Sequence, residues 1–95
     1  MKYVMVSIYD TAAGVYMRPF FVQSGGQAKR MFSDIANDRE HDVGAHPEDY
    51  SLFRIGQFDD NAGEVLPEHR DCLITALECV AAKRNQPDLF GDDKQ

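Results

Sequence analysis

The residues of this 95-residue chain best suited to chemistry are three histidines, two cysteines and a surplus of carboxylates. His41 and His46 share one polar stretch, and His69 or Cys72 could add ligands to them. A single loop pair leaves the remaining ligands to chance, so no metal site is expected. Cys72 and Cys79 fall on or near the apolar stripe of what reads as one helix, where small buried thiols are ordinary and unreactive. Seven residues along a helix separate their Cα atoms by roughly 10 Å, beyond the reach of a disulfide. Glu48, Asp49, Asp59 and Asp60 stand in turn-like stretches, where acidic side chains cap and bend backbone. Gly25 and Gly26 are followed by neither a further glycine nor a Lys–Ser or Lys–Thr pair, so no phosphate loop is present. No catalytic residue and no cofactor emerge, and the chain does not read as an enzyme.

A second constellation depends on secondary structure, and the elements must be placed before it can be seen. "KYVMVSIYD" alternates, with Val4, Val6 and Ile8 on one side and Tyr3, Met5, Ser7 and Tyr9 on the other, as a half-buried strand does. After the turn cluster "DTAAG", "VYMRPFFV" reads as a second strand. Pro19 has no N–H to give a ladder, which requires that strand to lie at an edge or to carry a bulge. Ser24 and Gln27 have the spacing of a capping box, and Ala28, Met31, Phe32, Ile35 and Ala36 recur with helical period, predicting a helix over Gly26 to Asn37. Asp38 to Asp49 is polar and reads as a long exposed loop. "YSLFRIGQFDD" is the third strand, "EVLP" a short fourth, and Glu68 to about Arg84 a second helix with Leu73, Ala76, Leu77, Val80 and Ala81 on its stripe. The order ββαββα predicts an α+β domain over residues 1–84, a four-stranded antiparallel sheet with two helices on one face. Residues 85–95 carry Pro87, Gly91, Asp92 and Asp93 without periodicity and read as a flexible tail.

If Val4, Val6 and Ile8 face the helices, the opposite sheet face gathers Tyr3, Met5, Tyr9, Tyr16, Arg18 and Phe20, with Arg54 from the third strand. Aromatic rings interleaved with arginine on an open sheet can hold single-stranded nucleic acid by stacking and a few phosphate contacts. The same residue types are enriched where two protein copies meet. The formal net charge of −6 argues against affinity built by blanketing phosphates and favours a homodimer over DNA as the occupant, although the two are compatible. A content of 43% hydrophobic residues is that of a folded domain rather than a disordered chain. The opening apolar run is too short for a signal peptide or a membrane span, so a soluble, intracellular chain is expected.

"HPEDYSLFRIGQFDDNAGEV", His46 to Val65, resembles the Pro-Glu-Asp-aromatic, Ile-Gly-x-Phe-Asp, Gly-x-Val/Ile signature of the small non-structural protein of gokushovirus-type microviruses, phages with circular single-stranded DNA. "SIYDTAAGVYMRPFFV" and "RMFSDIAND" are similar to the same family, and together the likeness covers roughly residues 1 to 67. The resemblance implies a role in phage DNA replication or DNA handling in the host bacterial cytoplasm, outside the mature capsid, and supplies no catalytic residue. Within the motif, Pro47 ends a loop, Gly56 lets two backbones approach, and Asp59, Asp60 and Gly63 form a turn. Past the last helix, "QPDLF" resembles the pentapeptide by which bacterial polymerases and repair proteins dock on the sliding clamp. That resemblance implies Leu89 and Phe90 in an apolar cleft, the Gln86 carboxamide at its rim and Asp88 setting the turn. The competing expectation is that Leu89 and Phe90 fold back to cap their own core, which is small in a chain of this length. The reading that joins these features is a non-enzymatic accessory of phage replication that docks on the host clamp. A single-stranded DNA-binding module or a dimeric assembly or scaffolding protein is the alternative.

Overall fold

The structure, a computed structural model, describes residues 1–85. Strand β1 (Lys2–Asp10) is followed by β2 (Val15–Tyr16), β3 (Phe20–Val22), helix α1 (Gly25–Ala36), the single turn α2 (Asp42–Ala45), a 3-10 turn (Pro47–Asp49), β4 (Tyr50–Asp59), β5 (Glu64–Thr75) and α3 (Ala76–Asn85). All pairings are antiparallel, in the order β2-β1-β4-β5, with β3 beside β2 on the outer edge of β1. The α+β architecture predicted from the sequence is the one observed. No helix among the described residues is long and apolar enough to cross a membrane.

The inner sheet face and the helix layer meet in one core. Val4, Val6, Ile8, Val22 and Leu52 come from the strands, and Ala28, Phe32 and Ala36 from α1. Val43 of α2 and Ala76 and Cys79 of α3 close it. Phe32 and Leu52 are fully buried, each burial contributing on the order of 2 kcal/mol from apolar area alone. Helix α1 starts as the sequence predicts: the Ser24 hydroxyl accepts from the Gln27 N–H at 3.2 Å and the Gln27 side-chain oxygen accepts from the Gln23 N–H at 2.8 Å. Met31, placed on the apolar stripe, is 45% exposed at its margin.

Three expectations are corrected. The segment Glu68 to Thr75 is strand, not helix, and it extends the predicted four-residue "EVLP" into the twelve residues of β5. The helix begins only where Thr75 and Glu78 form a reciprocal capping box, the Glu78 carboxylate accepting from the Thr75 N–H at 2.8 Å and the Thr75 hydroxyl from the Glu78 N–H at 3.1 Å. Ahead of that cap, β5 pairs with β4 from Glu64 onward in a ladder interrupted at Glu68 to Arg70 and at Leu73. Cys72 therefore lies on a strand and Cys79 on a helix, both as free thiols. Along α3 it is Cys79 that reaches the core, while Leu77 and Ala81 are exposed. The stretch Asp38 to Asp49 is not simply a loop, since α2 and the 3-10 turn pack its Val43 into the core.

The sheet is curled because paired strands differ in length. Ile55 alone stands opposite Glu68, His69 and Arg70, and Leu73 is unopposed between the pairs Leu52–Ile74 and Phe53–Cys72. Extra residues of this kind bend a strand and increase its twist. Gly56 faces β5 so closely that a Cβ there would lie 2.7 Å from the Leu66 carbonyl oxygen, which is the close approach expected of it. At the bulge, the Arg54 guanidinium donates to both Glu68 carboxylate oxygens, at 2.7 and 3.2 Å, and Gln57 donates to the same carboxylate at 2.8 Å.

Two outcomes follow. A Cβ on Gly44 would overlap the Asp38 carbonyl where α2 presses on the end of α1. Gly44→Ala should therefore destabilise the fold by about 1 to 3 kcal/mol, read as a lower urea midpoint with an unchanged slope. The hydrogen bonds from Arg54 hold the Glu68 carboxyl below its ordinary range, so the pair stabilises the fold fully above the unfolded carboxyl's pKa and loses that contribution as pH falls through the lower, folded value. Glu68→Gln should lower stability at pH 7 by less than about 1 kcal/mol, with the gap from wild type closing below about pH 4 in a series of thermal melts.

Candidate functional site

The outer sheet face gathers a cluster of aromatic side chains. Cα pairing places Tyr3 opposite Phe58, Ser7 opposite Phe53, and Tyr9 opposite Tyr16. The rings of Tyr9 and Tyr16 are 4.6 Å apart, and Phe53 meets both edge-on at 6.2 and 5.6 Å. The Arg70 guanidinium lies 5.8 Å over the Tyr16 ring, a cation–π contact. Further along, Phe21 and Phe58 pack at 5.5 Å. Phe21 is 50% exposed and Val65 57%, so the face carries apolar surface that no described element covers.

Of the residues assigned to this face from sequence, Tyr3, Met5, Tyr9 and Tyr16 belong to it. Phe20 does not. Between the pairs Tyr9–Tyr16 and Val6–Phe20, Met17, Arg18 and Pro19 stand opposite only Ser7 and Ile8. This extra residue inverts the alternation, so Phe20 and Val22 turn to the core and Phe21 joins Tyr16 outside. Pro19 falls within this bulge on the edge of the sheet, which meets both conditions expected of its strand. The bulge also places the Met17 carbonyl where it accepts from the Ser7 hydroxyl at 2.6 Å, satisfying the one buried polar side chain of β1. Arg54 pairs in register with Val6, a core residue, and is engaged by Glu68, so it is not available to the outer face. Arg18 is exposed in the bulged segment. Arg70 and Phe53 were missed by sequence reading because the first was assigned to a helix and the second's orientation depends on register.

The polar candidates are dispersed. The His41 Nδ1 accepts from the Val43 N–H at 3.1 Å and caps α2. His46, Glu48 and Asp49 bring one ligand atom each within 4.8 Å of one another on the 3-10 turn, with His46 and Glu48 exposed. The Asp60 carboxylate holds the N-terminal ammonium at 2.6 Å, and Asp59 accepts from the Asn61 N–H. Burial raises the Cys79 thiol above its ordinary range; desolvation, with the Glu78 and Asp71 carboxylates nearby, does the same for Cys72. Neither thiol is activated as a nucleophile. Gln86, Asp88, Leu89 and Phe90 lie outside the described residues.

Two grooves mark the helix side of the molecule. One, of about 260 Å³, is apolar and runs between α1 and the edge of the sheet, lined by Ile8, Phe20, Met31, Phe32 and Ile35. The other, of about 400 Å³, lies where α1, α2 and α3 converge and carries Arg39, Lys83 and Arg84.

No curated protein and no solved structure matches the chain. A family model does, under the description Phage ORF5 protein, over residues 3–79, from β1 into α3. That span includes the core and the whole outer face, and it ends before Lys83, Arg84 and the terminal pentapeptide. Matched over well more than half its length, the chain belongs to the Phage ORF5 protein family.

Proposed function

We propose that this phage protein is a non-enzymatic accessory of genome replication in a single-stranded DNA microvirus, working in the host bacterial cytoplasm by docking on the host polymerase's sliding clamp. The observation that carries the reading is the pentapeptide Gln86 to Phe90, which begins immediately after α3. Among the described residues, the core draws on α3 through Ala76 and Cys79, with Val80 packed against it. The residue types suit an extended peptide: Leu89 and Phe90 as apolar anchors, Gln86 as a rim hydrogen-bonding group, Asp88 for the turn and Pro87 to limit the ordering cost. The outer face supports a homodimer, being aromatic and poor in charge, and a dimer would present two such peptides to a ring with several sites.

Titrating purified clamp should give a micromolar dissociation constant for wild type and at least a tenfold loss for the Leu89→Ala, Phe90→Ala double variant. Equal binding by both, or binding by neither, defeats the proposal. A double variant that melts at lower temperature instead indicates a fold-back anchor.

Arg70 stacked on Tyr16 supports a second reading, in which the outer face takes single-stranded DNA by base stacking. One variant separates the two occupants of this face. Tyr16→Asp with Phe21→Asp should shift sedimentation from dimer to monomer if a second copy sits there. If DNA sits there, wild type should sediment as a monomer and the variant should lose salt-sensitive oligonucleotide binding.

A further inference from the structure

The basic groove sits in the helix layer, on the far side of the sheet from the aromatic face. Its side walls include Ala36, Pro47 and Val80, and among the described residues its charged lining is Arg39, Lys83 and Arg84. In a chain with 16 acidic and 10 basic residues, a concavity whose described lining holds three cations and no carboxylate runs against the average. The ion pairs among the described residues are Met1–Asp60 and Arg54–Glu68, with the His46 Nδ1 also 4.0 Å from Glu48, so none of the three groove cations is paired with a described acidic side chain.

Helix electrostatics account for part of this. Lys83 and Arg84 occupy the last turn of α3, where cations complement the negative end of the helix dipole. That does not account for Arg39, which follows α1 and is brought in by the fold of the Asp38 to Asp49 segment. Gly44 makes this convergence possible, since any side chain at that position would collide with the Asp38 backbone and push α2 away from the end of α1. Asn37 fixes the corner from below, its side-chain amide donating to the Ser33 carbonyl at 2.9 Å and the Cys79 carbonyl at 3.5 Å, which ties α1 to α3. The cations therefore stand around a braced junction.

We infer that this groove is a phosphate-binding site for the backbone of single-stranded DNA. Two guanidinium forks and an ammonium suit phosphate oxygens better than a lone carboxylate, and Pro47 and Val80 offer apolar contact to the sugar. The site lies on the opposite side of the sheet from the aromatic face, so it leaves that face free for a second copy of the chain.

The test is fluorescence anisotropy of a labelled oligothymidine at 50 mM salt, with the full chain. Wild type should bind at about 10 to 100 µM, with affinity falling with salt at a log–log slope of about 2, as three phosphate contacts to a single strand require. The Arg39→Gln, Lys83→Gln, Arg84→Gln variant should lose at least tenfold. Arg39→Gln alone, which leaves the α3 dipole untouched, should lose severalfold and reduce the slope. Leu89→Ala with Phe90→Ala should bind as wild type, so failure of clamp docking and failure of this site are separable. No binding by wild type, equal binding by the triple variant, or loss confined to Tyr16→Asp overturns the inference. So does protection of the groove by inorganic phosphate without any binding of the oligonucleotide.

Discussion

Strand β4 is hydrogen-bonded along both edges, and its two neighbours do not match it residue for residue. Its ladder to β1 slips between Met5 and Val6, and its ladder to β5 must absorb the extra residues around His69 and at Leu73. A sheet under that constraint cannot lie flat, because each bulge adds local twist to the strand that carries it. The curl decides what is buried. Ser7 is on the outer face by alternation yet only 1% exposed, and Met5, its neighbour on that face, is 9% exposed. Leu73, unopposed in the ladder, is freed to pack against the core and brings the start of α3 with it. The register of β4 thus positions both the inner layer and the aromatic cluster outside it.

The outer face is apolar because of where the bulges put side chains rather than because the strands are hydrophobic throughout. One extra residue between Tyr16 and Phe20 assigns Phe21 to the outside and gives Phe20 and Val22 to the core. On the other side of the sheet, the residues between Pro67 and Asp71 place Glu68 against Arg54 and Gln57 and leave Arg70 over Tyr16. Of the two cations that the sequence offers to this face, Arg18 and Arg54, the second is consumed by an ion pair. The cation actually present, Arg70, is held by a ring. A face with this few charges suits burial against protein better than adhesion to phosphates.

What could be read from sequence was whatever depends on local periodicity. The alternation of β1, the Ser24 capping box and the punctuation at Pro19 each carry their own physical signature and stand in the structure as expected. The errors arise where two signals compete. Leu73, Ala76, Leu77 and Val80 do recur with helical spacing, but the helical part of that pattern starts at Ala76; Leu73 belongs to a strand. The Thr75–Glu78 capping box was the signal that would have placed the boundary, since it satisfies helix-start amides that a start at Glu68 leaves bare. Phe20 and Arg54 were misassigned for a different reason: a single inserted residue reverses every later side chain of a strand, and an insertion is visible only in the pairing. The basic groove was illegible altogether, because Arg39 and Lys83 are far apart in sequence and are joined only by the packing of α1, α2 and α3.

The placement of these features argues for division of labour within a small chain. The sheet has two faces and the helices cover one, so the aromatic surface and the groove of Arg39, Lys83 and Arg84 are set back to back. An acidic protein that blanketed its sheet with arginine would gain affinity for nucleic acid but lose the apolar contact that a second copy requires. Gathering a few cations into a concave junction avoids that conflict, because low-dielectric walls focus the field of a small cluster while the rest of the surface stays negative. With a formal net charge of −6, attraction of a polyanion would have to be local to such a cluster rather than enveloping. On the proposed reading, such a groove would meet a polyanion locally while the apolar sheet face stays open to contact with protein.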